Sequence, residues 1–238
     1  MGLAITEEHT DLTAVVREFA VEQGVRAATR RAVESPPAPG ADPDPLWKQL
    51  AGLGWAGLHL PEDHGGSGYG LPELAVVVEG LGREAGGGPL VPTVLASALV
   101  AQCGTAAQQA ALLPGLADGS TTASVALTAS VERSDAGVRG EAGPALGAVW
   151  ASLHLVRSGA DVVVLRGEAV HVAPVDGVDP ALGIATVRAD GTGEVLAGAA
   201  AAATRLLRVL AAAEAAGGAR ATLDMALAYA KVREQFGR

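Results

Sequence analysis

The chain has 238 residues, with 17 Lys and Arg against 26 Asp and Glu, which gives a formal net charge of −9. That charge disfavours nucleic acid and anionic membrane surfaces as partners. Hydrophobic residues make up 49% of the sequence and aromatic residues only 3%, which predicts a closely packed aliphatic core and excludes a disordered or collagen-like chain.

The cysteine content and the N-terminal sequence bear on the compartment. A single cysteine, Cys103, excludes an internal disulfide and is typical of a reducing environment. Glu7 and Glu8 stand where a signal peptide would carry basic residues. No uninterrupted apolar stretch reaches the roughly 20 residues of a transmembrane helix. We therefore expect a cytoplasmic protein that makes no membrane contact.

Residues 6–117 carry helical signals. Thr6 is a predicted N-cap, and apolar residues at helical spacing after it predict one long first helix that ends before the Pro-rich segment 35–45. Asp44 and Pro45 predict the start of a short helix. A Gly-rich loop is expected over 59–71, followed by helices over 72–83, 92–103 and 106–113, the last capped by Thr105.

The periodicity changes near Gly119. Short β-branched runs, partly alternating in polarity and separated by Gly, Pro, Asp and Ser, predict an antiparallel sheet or barrel. These runs cover residues 121–128, 149–156, 162–166, 170–175 and 184–187.

Residues 199–236 return to a helical pattern in which Met225, Tyr229, Val232 and Phe236 form one apolar stripe. Basic residues outnumber acidic ones there, and a single helix has no core of its own. We therefore expect an α+β multi-domain fold. It comprises an N-terminal helical domain (1–118), a middle antiparallel β-barrel-like domain (119–198) and the first helix of a C-terminal helical bundle, truncated in this chain (199–238).

Two local motifs resemble a dinucleotide-binding site and a metal site, but the surrounding sequence lacks the further features that each site requires. Gly80, Gly82 and Ala85 match a dinucleotide-binding fingerprint, yet three glycines follow where a helix should begin, so we interpret the motif as a helix end. Four possible metal ligands lie close together, but no second cluster completes a coordination shell, and we expect no metal site. These ligands are His59, Glu62, Asp63 and His64.

Three segments taken together are more specific. They read Leu-Pro-Glu-Asp-His-Gly-Gly-Ser-Gly at 60–68, Glu-Gly-Leu-Gly-Arg at 79–83, and Tyr-Ala-Lys-Val-Arg-Glu-Gln-Phe-Gly-Arg at 229–238. In this combination, and in the order helix, strand, helix, the chain resembles the acyl-CoA dehydrogenase family. The resemblance spans essentially all 238 residues but only the first part of a typical member.

The resemblance implies an FAD site. Residues 127–135 stand where the family carries a loop against the flavin, so Leu127 and Thr128 would hydrogen-bond the isoalloxazine ring, and Ser134 would border both the flavin and the thioester. Hydroxyls suit that task because they donate to ring atoms without adding charge.

The last helix would carry two further contacts. Arg233, Gln235 and Phe236 match the family's Arg-x-Gln-Phe-Gly motif, which reaches the FAD pyrophosphate of a neighbouring subunit, and a planar guanidinium pairs well with a diphosphate. Arg205 and Arg208 fall near the family's acyl-CoA contact segment.

The sequence also departs from the family pattern. Ala129 and Ser130 replace a Glu-Pro pair, and the second flavin strand, expected near 150–155, lacks its aromatic and Thr or Ser pair. A base at the α-hydrogen comes from a helix that this chain does not include, or from a position 26 residues before Arg233, which here is Leu207. We therefore assign no catalytic residue, and we do not assign the role to Glu214.

The resemblance implies an FAD flavoprotein that dehydrogenates an acyl-CoA thioester, as in fatty acid β-oxidation, and that is incomplete as a single chain. The expected partners are an acyl-CoA substrate, another acyl-CoA dehydrogenase chain in a homo- or hetero-oligomer, and an electron-transfer flavoprotein as acceptor. Two alternatives stay open: a non-catalytic subunit of a hetero-oligomeric acyl-CoA dehydrogenase, and another flavin enzyme on the same fold, such as a monooxygenase or nitroalkane oxidase.

Overall fold

The computed structural model describes residues 5–128 and 131–236, and it begins with six helices. They are α1 (Glu7–Glu22), α2 (Val25–Glu34), α3 (Pro45–Gly52), α4 (Leu71–Gly82), α5 (Leu90–Cys103) and α6 (Ala106–Ala117).

Local capping explains where several of these helices begin. The Thr6 side chain accepts a hydrogen bond from the His9 amide, and the Asp44 side chain accepts one from the Leu46 amide at 3.0 Å. The prediction of one long first helix was wrong. Gly24 adopts a left-handed conformation with φ +65°, which L-residues with side chains rarely adopt, and it separates α1 from α2.

Helix α4 contains the glycine motif that resembles a dinucleotide-binding fingerprint. The run 75–78 that would be the fingerprint's strand lies in the middle of this helix. Gly82 is its last residue, so the interpretation as a helix end is confirmed. Gly80 has a steric role, since a Cβ there would overlap the side chain of Val16 in α1.

Eight strands follow and form two four-stranded sheets, in the orders β1-β4-β5-β8 and β2-β3-β7-β6. All the described strand pairs are antiparallel except β1 with β4, which is parallel. The strands are β1 (Ala123–Ala126), β2 (Glu132–Ser134), β3 (Gly137–Ala145), β4 (Leu153–Ser158), β5 (Asp161–Leu165), β6 (Val170–Pro174), β7 (Ala185–Gly191) and β8 (Glu194–Leu196).

The sheet prediction was incomplete in two respects. Strands β2, β3 and β8 were not predicted, because β3 contains Gly and Pro where an alternating pattern should be, and β2 and β8 are short. The parallel pairing of β1 with β4 was also missed, since the sequence pattern of a strand does not specify its neighbours.

The first sheet is buried on both faces. Val125 and Leu155 pack into the core formed by the helices, whereas Ala126 and Val156 face a second core between the two sheets. The boundaries at 118 and 198 stay a prediction, because the helical core continues without a break into the first sheet.

The last helix, α7 (Ala200–Val232), is 33 residues long and has two unlike halves. Leu206 and Leu210 of its first half are buried in the helical core. In its distal half Met225 and Tyr229 are more than half exposed. No helix in the described ranges has the length and apolarity needed to cross a bilayer.

The end of α7 differs from the prediction of a helix through Phe236. The helix stops at Val232, Arg233 has an extended backbone with ψ 120°, and Phe236 has φ +56°. Phe236 therefore does not continue the apolar stripe of the helix.

Candidate functional site

The exit of strand β1 holds the two predicted ring-contacting residues. Residues 123–126 are buried, Leu127 is 9% exposed, and Thr128 is exposed. The Thr128 hydroxyl donates to the carbonyl oxygen of Gly143 at 3.0 Å. A buried strand thus delivers one hydroxyl to the surface at a defined position. Ala129 and Ser130, which replace the family's Glu-Pro pair, lie outside the described residues.

The carbonyl that Thr128 contacts belongs to an irregular stretch of β3. The register between β3 and β7 shifts between Ala142 and Ala145, and the Gly143–Pro144 peptide is cis. Such an irregularity interrupts the ladder of backbone hydrogen bonds, which leaves a carbonyl for a side chain to use.

The segment expected to hold the second flavin strand, 150–155, leads into β4. Strand β4 pairs with β1 in parallel, and this places Val156 beside Ala126, two residues before Thr128. Leu153 and Leu155 of β4 are 2% and 0% exposed and pack into the helical core. The register Leu153 and Leu155 therefore presents no side chain on an open face, whereas Ala151 of the other register is half-buried.

The surroundings of Thr128 fit one edge of an uncharged ring system. The hydroxyl can rotate to donate to a ring nitrogen or carbonyl in place of Gly143, and its oxygen can accept a further hydrogen bond. Gly143 adds no side chain between Thr128 and a neighbouring group. The donor set of Leu127 and Thr128 is therefore compatible with the isoalloxazine of FAD.

Ser134 lies on an exposed hairpin between β2 and β3. Its hydroxyl accepts a hydrogen bond from the Ala136 amide at 3.3 Å. The neighbouring Arg133 forms an ion pair with Asp161 at 2.6 Å, and Asp161 also accepts from the Gly198 amide at 2.8 Å. The hairpin is thus tied to the segment that leads into α7.

Arg205 and Arg208 are both exposed on the first half of α7. Arg205 lies close enough to Cys103, the last residue of α5, for the two groups to interact. Burial raises the pKa of the half-buried Cys103 thiol, and the positive charge of Arg205 opposes that rise. The two guanidinium groups are therefore open to an anionic ligand on one side of the helical core.

Arg233, Gln235 and Phe236 form a separate exposed group at the end of α7. The Arg233 guanidinium donates to Gln235 Oε1 at 2.9 Å and lies 5.4 Å from the centre of the Tyr229 ring. Phe236 is 98% exposed. Leu127 and Thr128 are neighbours in the sequence, and this second group lies exposed beyond the end of α7.

The position that some family members give to a catalytic Glu is occupied by Leu207, which packs partly buried against the helical core. Glu214, two turns further along α7, lines a cavity of about 50 Å³ whose other walls include Leu146 and Leu182. Burial raises the pKa of Glu214, and the charge of Asp179 adds to the rise. The spacing of four residues from the buried Leu210 was the sequence signal for this burial.

Two histidine–serine pairs, one buried and one partly buried, were not predicted. His59 Nε2 lies 3.1 Å from Ser97 Oγ, and His154 Nδ1 lies 2.8 Å from Ser124 Oγ. Burial lowers the pKa of each histidine to about 4, although a backbone hydrogen bond at Ala151 works against the shift at His154. The sequence offered no signal for either pair, because each joins residues at least 30 positions apart.

The cluster of possible metal ligands is divided in the structure. His59 points to Ser97, whereas residues 62–64 form a short 3₁₀ turn. Across residues 5–128 and 131–236, no three His, Cys, Asp or Glu side chains come close enough together to coordinate a metal ion.

Comparisons with known proteins agree on one family. The model for "Acyl-CoA dehydrogenase, N-terminal domain" matches residues 6–120. The acyl-CoA dehydrogenase FadE34 of Mycobacterium tuberculosis is 34% identical over 199 residues, which are 82% of this chain and 27% of FadE34. The chain therefore spans less than a third of that relative.

Two solved structures share the fold over nearly the whole chain. The steroid ACAD Tcur3481-Tcur3483 aligns with a TM-score of 0.83 and 28% identity, over 98% of this chain and 69% of that one. The ChsE4-ChsE5 complex from Mycobacterium tuberculosis aligns with a TM-score of 0.87 and 23% identity, over 100% of this chain and 70% of that one. The second likeness concerns the fold alone.

Proposed function

The chain belongs to the acyl-CoA dehydrogenase family, and from that premise we propose that it forms the N-terminal part of an enzyme that dehydrogenates an acyl-CoA thioester with FAD. The observation that carries the proposal is the exposed Thr128 hydroxyl at the end of a buried strand, beside the irregular Gly143 segment. FAD, when bound, supplies the hydride acceptor. Leu127 and Thr128 orient the ring, and both act through uncharged polar groups.

The thioester and the cofactor diphosphate need charge that Thr128 does not provide. In the proposal, Arg205 and Arg208 bind acyl-CoA from α7, and Ser134 borders both ligands. Arg233, Gln235 and Phe236 point away from this chain, so they would bind the diphosphate of FAD held by a partner chain. An electron-transfer flavoprotein then accepts the electrons, in the cytoplasm.

The proposal treats the chain as incomplete for catalysis. Abstraction of the α-hydrogen requires a carboxylate base in contact with the substrate. Leu207 supplies no base, and the cavity beside Glu214, at about 50 Å³, has room for one or two water molecules rather than a thioester. A base from another segment or another chain is therefore part of the proposal.

A second candidate is a non-catalytic subunit of a two-chain acyl-CoA dehydrogenase. Two observations favour it. The distal half of α7 exposes Met225, Tyr229 and Val232 in a row, as an interface helix would. The chain also covers about 70% of each chain in two structures whose descriptions name a pair of components.

Co-expression with an acyl-CoA dehydrogenase chain that carries the C-terminal helices tests the proposal. After gel filtration, the visible spectrum gives the flavin content of the complex and of this chain alone. We expect flavin in the complex and little on the isolated chain. Anaerobic addition of short fatty, branched and steroid side-chain acyl-CoA thioesters should then bleach the flavin with the matching substrate.

Paired variants assign the flavin contact to this chain. Thr128→Val should lower the flavin content of the complex, whereas Thr10→Val, an exposed threonine of α1, should not. Arg233→Gln should also lower it, with Arg30→Gln, an exposed arginine of α2, as its control. Equal flavin content in all four complexes would favour the non-catalytic subunit.

A further inference from the structure

A cleft of about 280 Å³ lies between α2, α3 and the turn at Gly87 and Gly88, which precedes α5. Its walls are mostly apolar, and two of the three tryptophans of the chain line it. The apolar lining includes Ala32 of α2, Trp47 of α3 and Trp150. A concave apolar site with a few polar groups at its edge is the usual form of a small-molecule site.

Hydrogen bonds hold the walls of this cleft in place. The Gly40 amide in the Pro-rich segment donates to the Val149 carbonyl at 2.8 Å, which ties the segment to the β region. The Gly88 amide donates to the Ala181 carbonyl at 2.8 Å. The Thr29 hydroxyl links α2 to the turn through a carbonyl 2.8 Å away. The cleft is therefore preformed, which reduces the ordering cost of binding.

The polar atom of one of the two indoles is satisfied away from the cleft. The Trp47 indole nitrogen donates to the Gly119 carbonyl at 2.9 Å, so the ring offers an apolar face rather than a donor. Trp150 is seated on Gly183, where a Cβ would overlap the indole ring. Aromatic faces attract organic cations through the ring quadrupole.

The charge at the mouth of the cleft is negative. Arg31 and Asp44 form an ion pair at 3.3 Å and largely neutralise one another. Asp42 also lines the mouth, is exposed, and forms no ion pair in the described part of the chain. One uncompensated carboxylate thus faces a cleft walled by two indoles.

We propose that this cleft binds a small organic cation, an ammonium or quaternary ammonium group attached to one aromatic or alicyclic ring. The ring fills the apolar cleft, whose volume admits roughly ten non-hydrogen atoms. The cationic group lies between the indoles and Asp42. The site uses none of the residues assigned to FAD or acyl-CoA, so it stands or fails independently of the proposed function.

Tryptophan fluorescence of the full chain, titrated with benzyltrimethylammonium, tests the proposal. Trp55 is buried in the helical core and provides a constant background. We expect a saturable change in the range of about 1 mM, as suits so small a ligand. Phenylacetate, with the same ring and the opposite charge, should bind about fivefold more weakly.

Two variants on α2 locate the site. Ala32 lines the cleft, and Ala27 is exposed on the same helix outside it. Ala32→Phe should fill the cleft and weaken binding about tenfold, whereas Ala27→Phe should leave it unchanged, and circular dichroism checks that both variants fold. Asp42→Asn should remove most of the preference for the cation over phenylacetate.

Three results would overturn the proposal. The first is phenylacetate binding as tightly as the cation. The second is equal binding by the two phenylalanine variants, or no saturable change in the wild type up to about 10 mM. The third comes from sedimentation velocity: a dimer that Ala32→Phe dissociates would show that a second copy of the chain occupies the cleft.

Discussion

Gly217 of α7 lies so close to the backbone of α4 that a Cβ at this position would overlap the carbonyl oxygen of Glu79 and come within 3.0 Å of its carbonyl carbon. Gly82 of α4 makes a similar approach to the backbone of Glu214. The two helices therefore meet backbone to backbone, because each contributes a glycine at the crossing. This contact sets the direction in which the exposed half of α7 leaves the body of the chain.

Adding one methyl group at the crossing should destabilise the chain. Gly217→Ala forces α7 away from α4, and we expect the free energy of unfolding in urea to fall by about 2 kcal/mol. Gly218→Ala is the control, since the nearest atom to its Cβ is the Gly82 oxygen at 3.7 Å. That variant should gain up to about 1 kcal/mol from helix propensity. Equal effects of the two variants would contradict the tight crossing.

Removing the charge of Glu214 should stabilise the chain at neutral pH. Because burial raises the pKa of this carboxyl in the folded state, the folded chain binds its proton more tightly than the unfolded chain does. The charged form therefore costs stability above the folded pKa, and the cost vanishes below the unfolded pKa.

We expect Glu214→Gln to have a higher urea midpoint than the wild type at pH 7.5 and the same midpoint near pH 4. Glu18→Gln, at an exposed glutamate of α1, should leave the difference between the two pH values unchanged. A Glu214→Gln midpoint below that of the wild type at pH 7.5 would show that the carboxylate has a stabilising partner.

His59 and His154 should make the chain sensitive to mild acid. Burial lowers the folded pKa of His59 and His154 to about 4, so between pH 6.5 and pH 4 the unfolded chain binds more protons than the folded chain. Stability is then complete above pH 6.5 and falls as the pH decreases towards 4. At pH 5 each histidine should cost about 2 kcal/mol.

Urea unfolding of the wild type at pH 7.5 and pH 5 measures this loss. His59→Leu should remove about half of the histidine contribution, and it also eliminates His59 Nδ1, a buried nitrogen without a hydrogen-bond partner in the described residues. His171→Leu, at an exposed histidine of β6, should retain the full dependence on pH. An unchanged loss in His59→Leu would contradict the burial of a neutral imidazole.

A charge on the distal half of α7 should affect assembly and leave the chain itself intact. Leu227 is 51% exposed, so Leu227→Glu should change the unfolding free energy of the isolated chain by less than about 0.5 kcal/mol. In the co-expressed complex, the same variant should weaken the association, because it places a carboxylate in an apolar interface.

Val15→Glu, at a position 52% exposed on α1, is the matched control and should assemble normally. The affinity of the two chains is measured by sedimentation or by calorimetry. Normal assembly of Leu227→Glu would remove the distal half of α7 from the proposed interface.

Local sequence signals were sufficient for most of the helices. Asp44 and Pro45 start α3 by a cap that involves only neighbouring residues, and Thr105 caps α6 through the Gln108 amide. The break at Gly24 was missed because helical spacing continues on both sides of it. Strand β3 was missed because its place in the sheet depends on pairing with β7, about 50 residues away.

In the candidate site, too, the sequence predicted local features and missed those that depend on distant residues. The motif around Thr128 was visible in the sequence, but its partner Gly143 lies 15 residues away and becomes a partner only through the irregular pairing of β3. The aromatic and Thr pair was sought near 150–155, where the strand proves to be buried on both faces. Counting residues along the sequence could not show that this segment is buried, because the packing of the sheet decides that.

By itself, the sequence determined the family and the order of a helical region, a β region and a second helical region, because these depend on composition, periodicity and short motifs. Only the tertiary structure decided which residues are buried and what they face. It covers His59 and His154 and exposes Met225 and Tyr229, since burial depends on which elements pack together, and distant segments of the chain decide that packing.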